Sequence, residues 1–327
     1  MIRAALVLAA LLARPALAQR IEGVALPLYH RQADADGWDF LTAVDEIAAL
    51  GASHVSLAVF WRQADVHAPA VARDPGVTID DARLRQVIRR AHARGLGVLL
   101  FPIIELDRVR RGEWRGTLRP ADADVWWRSY EAFILHYAAI AAEEKVAMLA
   151  IGSELGSTEG WRDRWFHLAG KTRARYPGKL VYSANWDRYQ QVSFWARVDY
   201  VAVSAYFGVV GDADAGEAQI AAGWRRALAE LTAFAARQGK PLILTEVGLP
   251  SRDGAATAPW DYTRRAAIDL EEQRRGYAGF FAAWRKTPAL AGAFVWHWFG
   301  KGGLDDGGYT ARGKPAEVVL RRAYGVE

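Results

Sequence analysis

Eight short apolar runs, each followed by a helical pattern, recur along the 327-residue chain. The runs fall at 22–28, 54–60, 96–103, 146–151, 179–183, 200–204, 241–245 and 291–296. They are nearly continuous in hydrophobicity, as strands covered on both faces must be. Helical patterns occupy 38–50, 80–94, 121–144, 161–176, 190–196, 217–238, 262–286 and 315–324. Asp80 and Asp81 place negative charge at the start of the second of these, and Gly95 follows its end. Pro177-Gly178 and Gly239-Lys240-Pro241 close two others ahead of a strand. Eight strand–helix units predict an α/β chain folded as a single (β/α)8 TIM barrel. A doubly wound open sheet also alternates, but eight units fill the chain and no Gly-x-Gly-x-x-Gly turn follows the first strand.

In such a barrel the chemistry collects where strands end and βα-loops begin. Strand four ends Gly152-Ser153-Glu154, and strand seven runs Leu244-Thr245-Glu246. Each puts a carboxylate just beyond an apolar run. Strands four and seven lie across an eight-stranded ring, so Glu154 and Glu246 can face one another. Two facing carboxyl groups suit glycoside hydrolysis: one protonates the leaving oxygen while the other attacks the anomeric carbon or activates water. Strand six ends Ser204-Ala205-Tyr206, bringing a phenol beside strand seven. The chain carries 14 Trp, and several fall at strand ends. Strand eight ends Trp296-His297-Trp298, and Trp296 or Trp298 would floor a sugar site by stacking. Trp61 after strand two, and Asn185-Trp186 after strand five, would form its walls. Trp61, Trp296, Trp298, Asn185 and Tyr206 are therefore the candidate substrate-binding residues.

Other chemistries find little support. There is no cysteine, which removes thiolate metal sites, iron–sulfur clusters and a Cys nucleophile. The seven histidines form no His-x-His or His-Glu-x-x-His pattern, so no metal ligand set and no cofactor is implied. A net charge of +5, with no basic run interleaved with aromatics, does not suggest a nucleic-acid partner. At the N-terminus Arg3 precedes an apolar run that ends in Ala16-Leu17-Ala18. This pattern predicts a signal peptide over residues 1–18, cleaved before Gln19, with the barrel at 19–327 and a secreted or periplasmic location. The run is too short to span a bilayer, so no membrane span is expected after cleavage.

Six stretches resemble a known family. They are 84–95 (LRQVIRRAHARG), 112–116 (GEWRG), 151–155 (IGSEL), 199–207 (DYVAVSAYF), 244–251 (LTEVGLPS) and 308–316 (GYTARGKPA). The chain resembles the clan A retaining glycoside hydrolases, and within them family 113, known for endo-β-1,4-mannanases. The resemblance implies that Glu154 is the acid/base, Glu246 the nucleophile and Tyr206 the hydrogen-bond partner of the nucleophile. Many clan A enzymes carry Asn just before the acid/base, where this chain has Ser153. At strand three the family often has Lys and a Pro-His pair, where this chain reads Phe101-Pro102-Ile103. The expected partner is a β-linked polysaccharide or oligosaccharide: β-mannan first, a bacterial exopolysaccharide second. A transglycosylase or an exopolysaccharide-processing factor using the same glutamates is the alternative. A non-catalytic binding barrel would need aromatics but no facing carboxylates. Two close carboxylates repel, so one holds a proton at neutral pH. With Tyr206 favouring the charged form of Glu246, the raised pKa is expected at Glu154.

Overall fold

The computed structural model describes residues 20–327; the expected signal peptide at 1–18 lies outside the described residues. Eight parallel strands close into a barrel in sequence order. They are β1 (Ile21–Pro27), β2 (His54–Gln63), β3 (Gly97–Leu106), β4 (Met148–Ser153), β5 (Lys179–Asn185), β6 (Val201–Ser204), β7 (Leu242–Val247) and β8 (Leu290–Val295). β8 pairs with β1 to complete the ring. Around it lie α1 (His30–Asp36), α2 (Phe40–Ala49), α3 (Asp81–Ala93), α4 (Ala123–Glu143), α5 (Arg162–Arg175), α6 (Glu217–Arg237), α7 (Leu270–Arg285) and α8 (Pro315–Ala323). Among the described residues, no helix is long and apolar enough to cross a membrane.

The strands are apolar on both faces because two cores flank them. The inner core fills the barrel and includes Ala58 and Phe60 of β2, Leu99, Phe101 and Ile103 of β3, Ile243 of β7 and Phe294 of β8. The outer core packs strands against helices. Gly23 of β1 is required by this filling, since a Cβ there would stand 2.2 Å from the Phe294 ring. The period of two along each strand also decides what reaches the mouth. On β3 the inward stripe runs Leu99, Phe101, Ile103 and then Glu105. On β2 it runs Ala58, Phe60 and then Arg62. Arg62 and Glu105 meet above the apolar filling at 2.6 Å.

Local signals account for most boundaries. Asp80 caps α3 by accepting from the Arg83 N–H at 2.8 Å, and Gly95 ends the turn that follows at φ 76°. Three segments differ from the sequence pattern. The helix α1 was not expected, because HRQADAD has no apolar period. The segment expected as a helix at 190–196 is two 3₁₀ turns, Tyr189–Gln191 and Trp195–Arg197. The helix expected from residue 262 starts only at Leu270. Asp269 captures the Glu272 N–H at 2.7 Å and fixes the N-terminus there, which leaves the preceding residues in a long β7–α7 loop.

Candidate active site

Glu154 follows the last residue of β4, and Glu246 lies in β7. Both carboxyl groups line one cavity of about 780 Å³ at the C-terminal end of the barrel, and both residues are buried. Glu154 adopts φ 56°, a left-handed conformation that costs a residue with a Cβ about 1–2 kcal/mol. Its backbone is clamped by β5: Glu154 N–H donates to the Ser183 carbonyl at 2.8 Å, and Leu155 N–H donates to the Tyr182 hydroxyl at 2.9 Å. Tyr182 in turn donates to Glu159 at 2.9 Å. Glu159 is itself buried, and that burial pushes its carboxyl up to about 7.

The two carboxyl groups have unequal company. Glu154 Oε2 accepts from the Arg115 guanidinium at 2.5 Å, and its Oε1 accepts from the Ser204 hydroxyl. Glu246 Oε2 accepts from the Tyr206 hydroxyl at 2.7 Å, while its Oε1 is buried without a partner. Burial, and then the negative charge of Glu154, push Glu246 up to about 8, against the opposing pull of Arg115 and Tyr206. This corrects the expectation that the raised pKa belongs to Glu154. The carboxylate with fewer donors is the harder one to ionise in a desolvated site. With its carboxyl pushed up in this way, Glu246 holds a proton at neutral pH. Burial and the Glu246 charge raise the Tyr206 phenol well above its ordinary range, so it stays a hydrogen-bond donor. Arg115 keeps its charge: burial opposes it, but the Glu154 and Glu246 carboxylates outweigh that and raise its pKa.

The aromatic candidates divide. Trp296 lines the cavity and packs on the inner core, as a floor residue would. Asn185 and Trp186 also line it. Trp298 does not. Strand β8 ends at Val295, so the two-residue alternation does not carry Trp298 inward. Its indole is buried and donates to Glu46 of α2 at 2.8 Å. Trp61 is excluded for the opposite reason. It lies within β2 next to the inward Phe60, so it faces outward and packs against Phe133 of α4 with ring centroids 4.9 Å apart.

Several site residues escaped the sequence reading. Arg115 lies in the GEWRG stretch on the β3–α4 loop. A cation between a Trp and a Gly in a loop at the mouth was the available signal, but nothing in its spacing tied it to Glu154. Tyr29, Glu105, Trp260, Tyr262, His297 and Tyr309 also line the cavity. Burial pushes His297 down to about 4, so its imidazole is neutral at physiological pH. A second cavity of about 280 Å³, beside Trp38, Glu46 and Arg312, holds neither carboxyl group.

Comparison with known proteins agrees with this geometry. The profile of Glycoside Hydrolase Family 113 matches residues 33–306. The chain belongs to glycoside hydrolase family 113. It is a glycoside hydrolase acting on O-glycosyl bonds. A family 113 β-mannanase of Alicyclobacillus acidocaldarius, solved in complex with ManMIm, is 30% identical; the alignment covers 94% of this chain and 97% of that one, with a TM-score of 0.82. A family 113 β-1,4-mannanase is 25% identical over 94% of this chain and 100% of that one, with a TM-score of 0.81. A family 5 mannosidase of Rhizomucor miehei, 11% identical over 94% and 92% of the two chains, shares the fold at a TM-score of 0.64. No curated protein matches the sequence.

Proposed function

We propose that this family 113 member is an exported, retaining, endo-acting β-mannanase. The observation that carries the reading is the buried pair Glu154 and Glu246 in one cavity, each with its own donors. In the first step the Glu246 carboxylate attacks the anomeric carbon while Glu154 gives its proton to the glycosidic oxygen. The C–O bond breaks, the leaving sugar departs as an alcohol, and a glycosyl ester forms on Glu246. In the second step Glu154, now a carboxylate, takes a proton from water as that water attacks the same carbon and releases Glu246. Two inversions give net retention.

The residues around the pair support these roles. The Tyr206 hydrogen bond favours the ionised form that Glu246 needs for attack. Reaction requires Glu246 ionised and a proton on Glu154, so the proton that burial keeps on Glu246 must leave it before attack. Arg115 offsets the second negative charge while both carboxyl groups are ionised. Trp296 gives the sugar ring an apolar face to rest on. The β-mannanase activity of the two family 113 relatives supports β-1,4-mannan as the substrate. The bare apolar positions Phe101 and Ile103 on β3 favour a second reading, a related bacterial exopolysaccharide, because the polar group on that strand is displaced to Glu105. Residues 1–18 support export, and N-terminal sequencing of the mature chain should then begin at Gln19.

A hydrolysis panel of β-mannan, glucomannan, xylan, mixed-linkage glucan and purified exopolysaccharides tests the reading, with Glu246→Ala as the control. Fragments of intermediate length from mannan are expected, with the first-formed anomer retained by NMR. Undiminished turnover by Glu246→Ala, or an inverted first product, would overturn the mechanism. Cleavage of an exopolysaccharide and not of mannan would decide for the second reading.

A further inference from the structure

Glu154 and Glu246 reach the cavity by different routes. Glu246 lies within β7 and takes its direction from the strand. Glu154 lies one residue beyond β4, at φ 56°. A residue with a Cβ keeps that conformation only where its surroundings hold it there. β4 also gains one residue on β5 just before this point, since Ala150 pairs with Val181 but Ser153 with Ser183. The direction of the Glu154 carboxyl group therefore rests on what fixes the peptides around it.

Two of those contacts come from adjacent residues of β5. The Ser183 carbonyl accepts the Glu154 N–H at 2.8 Å. The Tyr182 hydroxyl accepts the next N–H, that of Leu155, at 2.9 Å, and donates to Glu159 Oε1 at 2.9 Å. Burial, and then the Glu159 charge, raise the Tyr182 phenol well above its ordinary range, so it remains the donor in that second bond. Both ends of this chain of bonds are packed in place. Tyr182 lies edge-on to Trp165 and Phe194, with ring centroids 5.1 and 4.9 Å apart. The Glu159 carbonyl accepts from the Ser193 hydroxyl at 2.6 Å, and the Thr158 carbonyl from the Trp165 indole at 2.9 Å. At Gly152 a Cβ would stand 2.8 Å from the Tyr130 hydroxyl and 2.9 Å from the Trp165 and Tyr182 rings, so the end of β4 rests directly on these side chains. Leu155, Tyr182 and Glu159 are all buried, so solvent does not replace a partner lost from this chain.

We propose that Tyr182 and Glu159 are positioning residues for the acid: through the Leu155 N–H they hold Glu154 in the left-handed turn from which its carboxyl group protonates the leaving oxygen. The inference rests on the reading of Glu154 as the acid. Tyr182 and Glu159 stand behind the cavity and do not line it. Glu159 supplies a buried acceptor that keeps the Tyr182 hydroxyl turned with a lone pair toward Leu155. The acceptor is what the arrangement needs, and its charge is not. Without the hydroxyl, the Leu155 peptide is free to rotate, Glu154 relaxes from its left-handed turn, and its carboxyl group swings away from the leaving oxygen. A displacement of about 1 Å in a reacting group costs up to roughly 100-fold in rate. The loss falls on proton transfer and not on attack by Glu246, whose strand is untouched.

The test uses Tyr182→Phe, Glu159→Leu and Glu159→Gln, with Glu154→Ala as the reference. The kcat/KM is measured on a series of aryl glycosides of graded leaving-group acidity, built on the sugar that the native chain hydrolyses. This parameter reports the first step, in which only poor leaving groups need the proton. Tyr182→Phe should lose about 10- to 100-fold on the poorest leaving groups and little on the best, so its dependence on leaving-group acidity becomes steeper than native. Glu159→Leu should follow it. Glu159→Gln keeps an acceptor for the Tyr182 hydroxyl and should stay close to native. An equal loss across the series in Tyr182→Phe, no loss anywhere, or a Glu159→Gln variant as impaired as Glu159→Leu would overturn the positioning role. The steepness is a ratio within each variant, so it does not depend on the fraction folded, and Tyr182→Phe decides the matter where Glu159→Leu fails to fold. A flat dependence in Glu154→Ala would strike the reading of Glu154 as the acid. A steep one there, beside a native one in Tyr182→Phe, would strike the positioning role alone.

Discussion

Replacing Tyr206 with Phe removes one hydrogen bond and leaves the ring that lies edge-on to Tyr309 with centroids 6.1 Å apart. The lost bond, 2.7 Å to Glu246 Oε2, is the single donor on a buried carboxyl group. A hydrogen bond to a charged group contributes about 1.5–3 kcal/mol. That corresponds to roughly 1–2 pKa units in favour of the protonated Glu246. The effect has two parts. The productive tautomer, with the proton on Glu154 and Glu246 ionised, becomes roughly 10- to 100-fold rarer, and kcat/KM near neutral pH falls by that factor. The last proton of the pair also leaves later. On the proposed mechanism this step is the loss of the proton from Glu246, whose carboxyl is pushed up to about 8, and it should set the alkaline limb. In Tyr206→Phe that limb should move upward by roughly 1–2 pH units. The assay is a pH profile of kcat/KM on one oligosaccharide for both proteins. A fall in rate with both limbs unmoved would show that Tyr206 acts only in the transition state, and a downward shift would refute the electrostatic account.

Other substitutions test separate parts of the site. Trp296→Ala should impair turnover, whereas Trp298→Phe should cost stability through its lost bond to the Glu46 carboxylate, about 1.5–3 kcal/mol, and leave the kcat/KM close to native; thermal unfolding and kinetics on the same samples separate the two. Glu159 is raised from 4.5 to about 7, so the folded chain holds a proton that the unfolded chain releases. Its contribution, on the order of 3 kcal/mol, is complete below pH 4.5 and disappears as pH rises through about 7. Glu159→Gln should therefore flatten the decline in Tm across that window, and an unchanged slope would mean the group titrates normally. Glu154→Ala should keep some glycosylation of aryl glycosides with good leaving groups, and azide should speed its second step. Equal inactivity on activated and unactivated substrates would remove Glu154 from the acid role.

The barrel was legible because both cores write themselves into the strands as unbroken apolar runs, and because Asp80, Gly95 and Gly239 mark helix ends by short-range chemistry. The glutamates were legible for a related reason: a carboxyl group just beyond an apolar run must stand at the mouth. The errors arose where side-chain direction mattered. Trp61 and Trp298 sit at the right height, but one points outward beside an inward Phe60 and the other lies beyond the last paired residue of β8. The charge balance was illegible because Arg115 comes from a loop 39 residues before Glu154, and chain spacing carries no information about that meeting. The proton assignment failed with it, since the unequal donors on the two carboxyl groups exist only once Arg115 and Ser204 are in place. The β7–α7 loop lacks any period, and its aromatics gained meaning only from the cavity they line.

The central claim is that Glu246 forms a covalent bond to the sugar. Incubation with an activated 2-deoxy-2-fluoro mannosyl donor slows the second step more than the first and lets the intermediate accumulate. Mass spectrometry of the intact chain and of its peptides should show one fluoroglycosyl group, carried on the peptide containing Glu246. An adduct on the peptide containing Glu154, or full turnover of the native substrate with an inverted first product and no adduct, would contradict it.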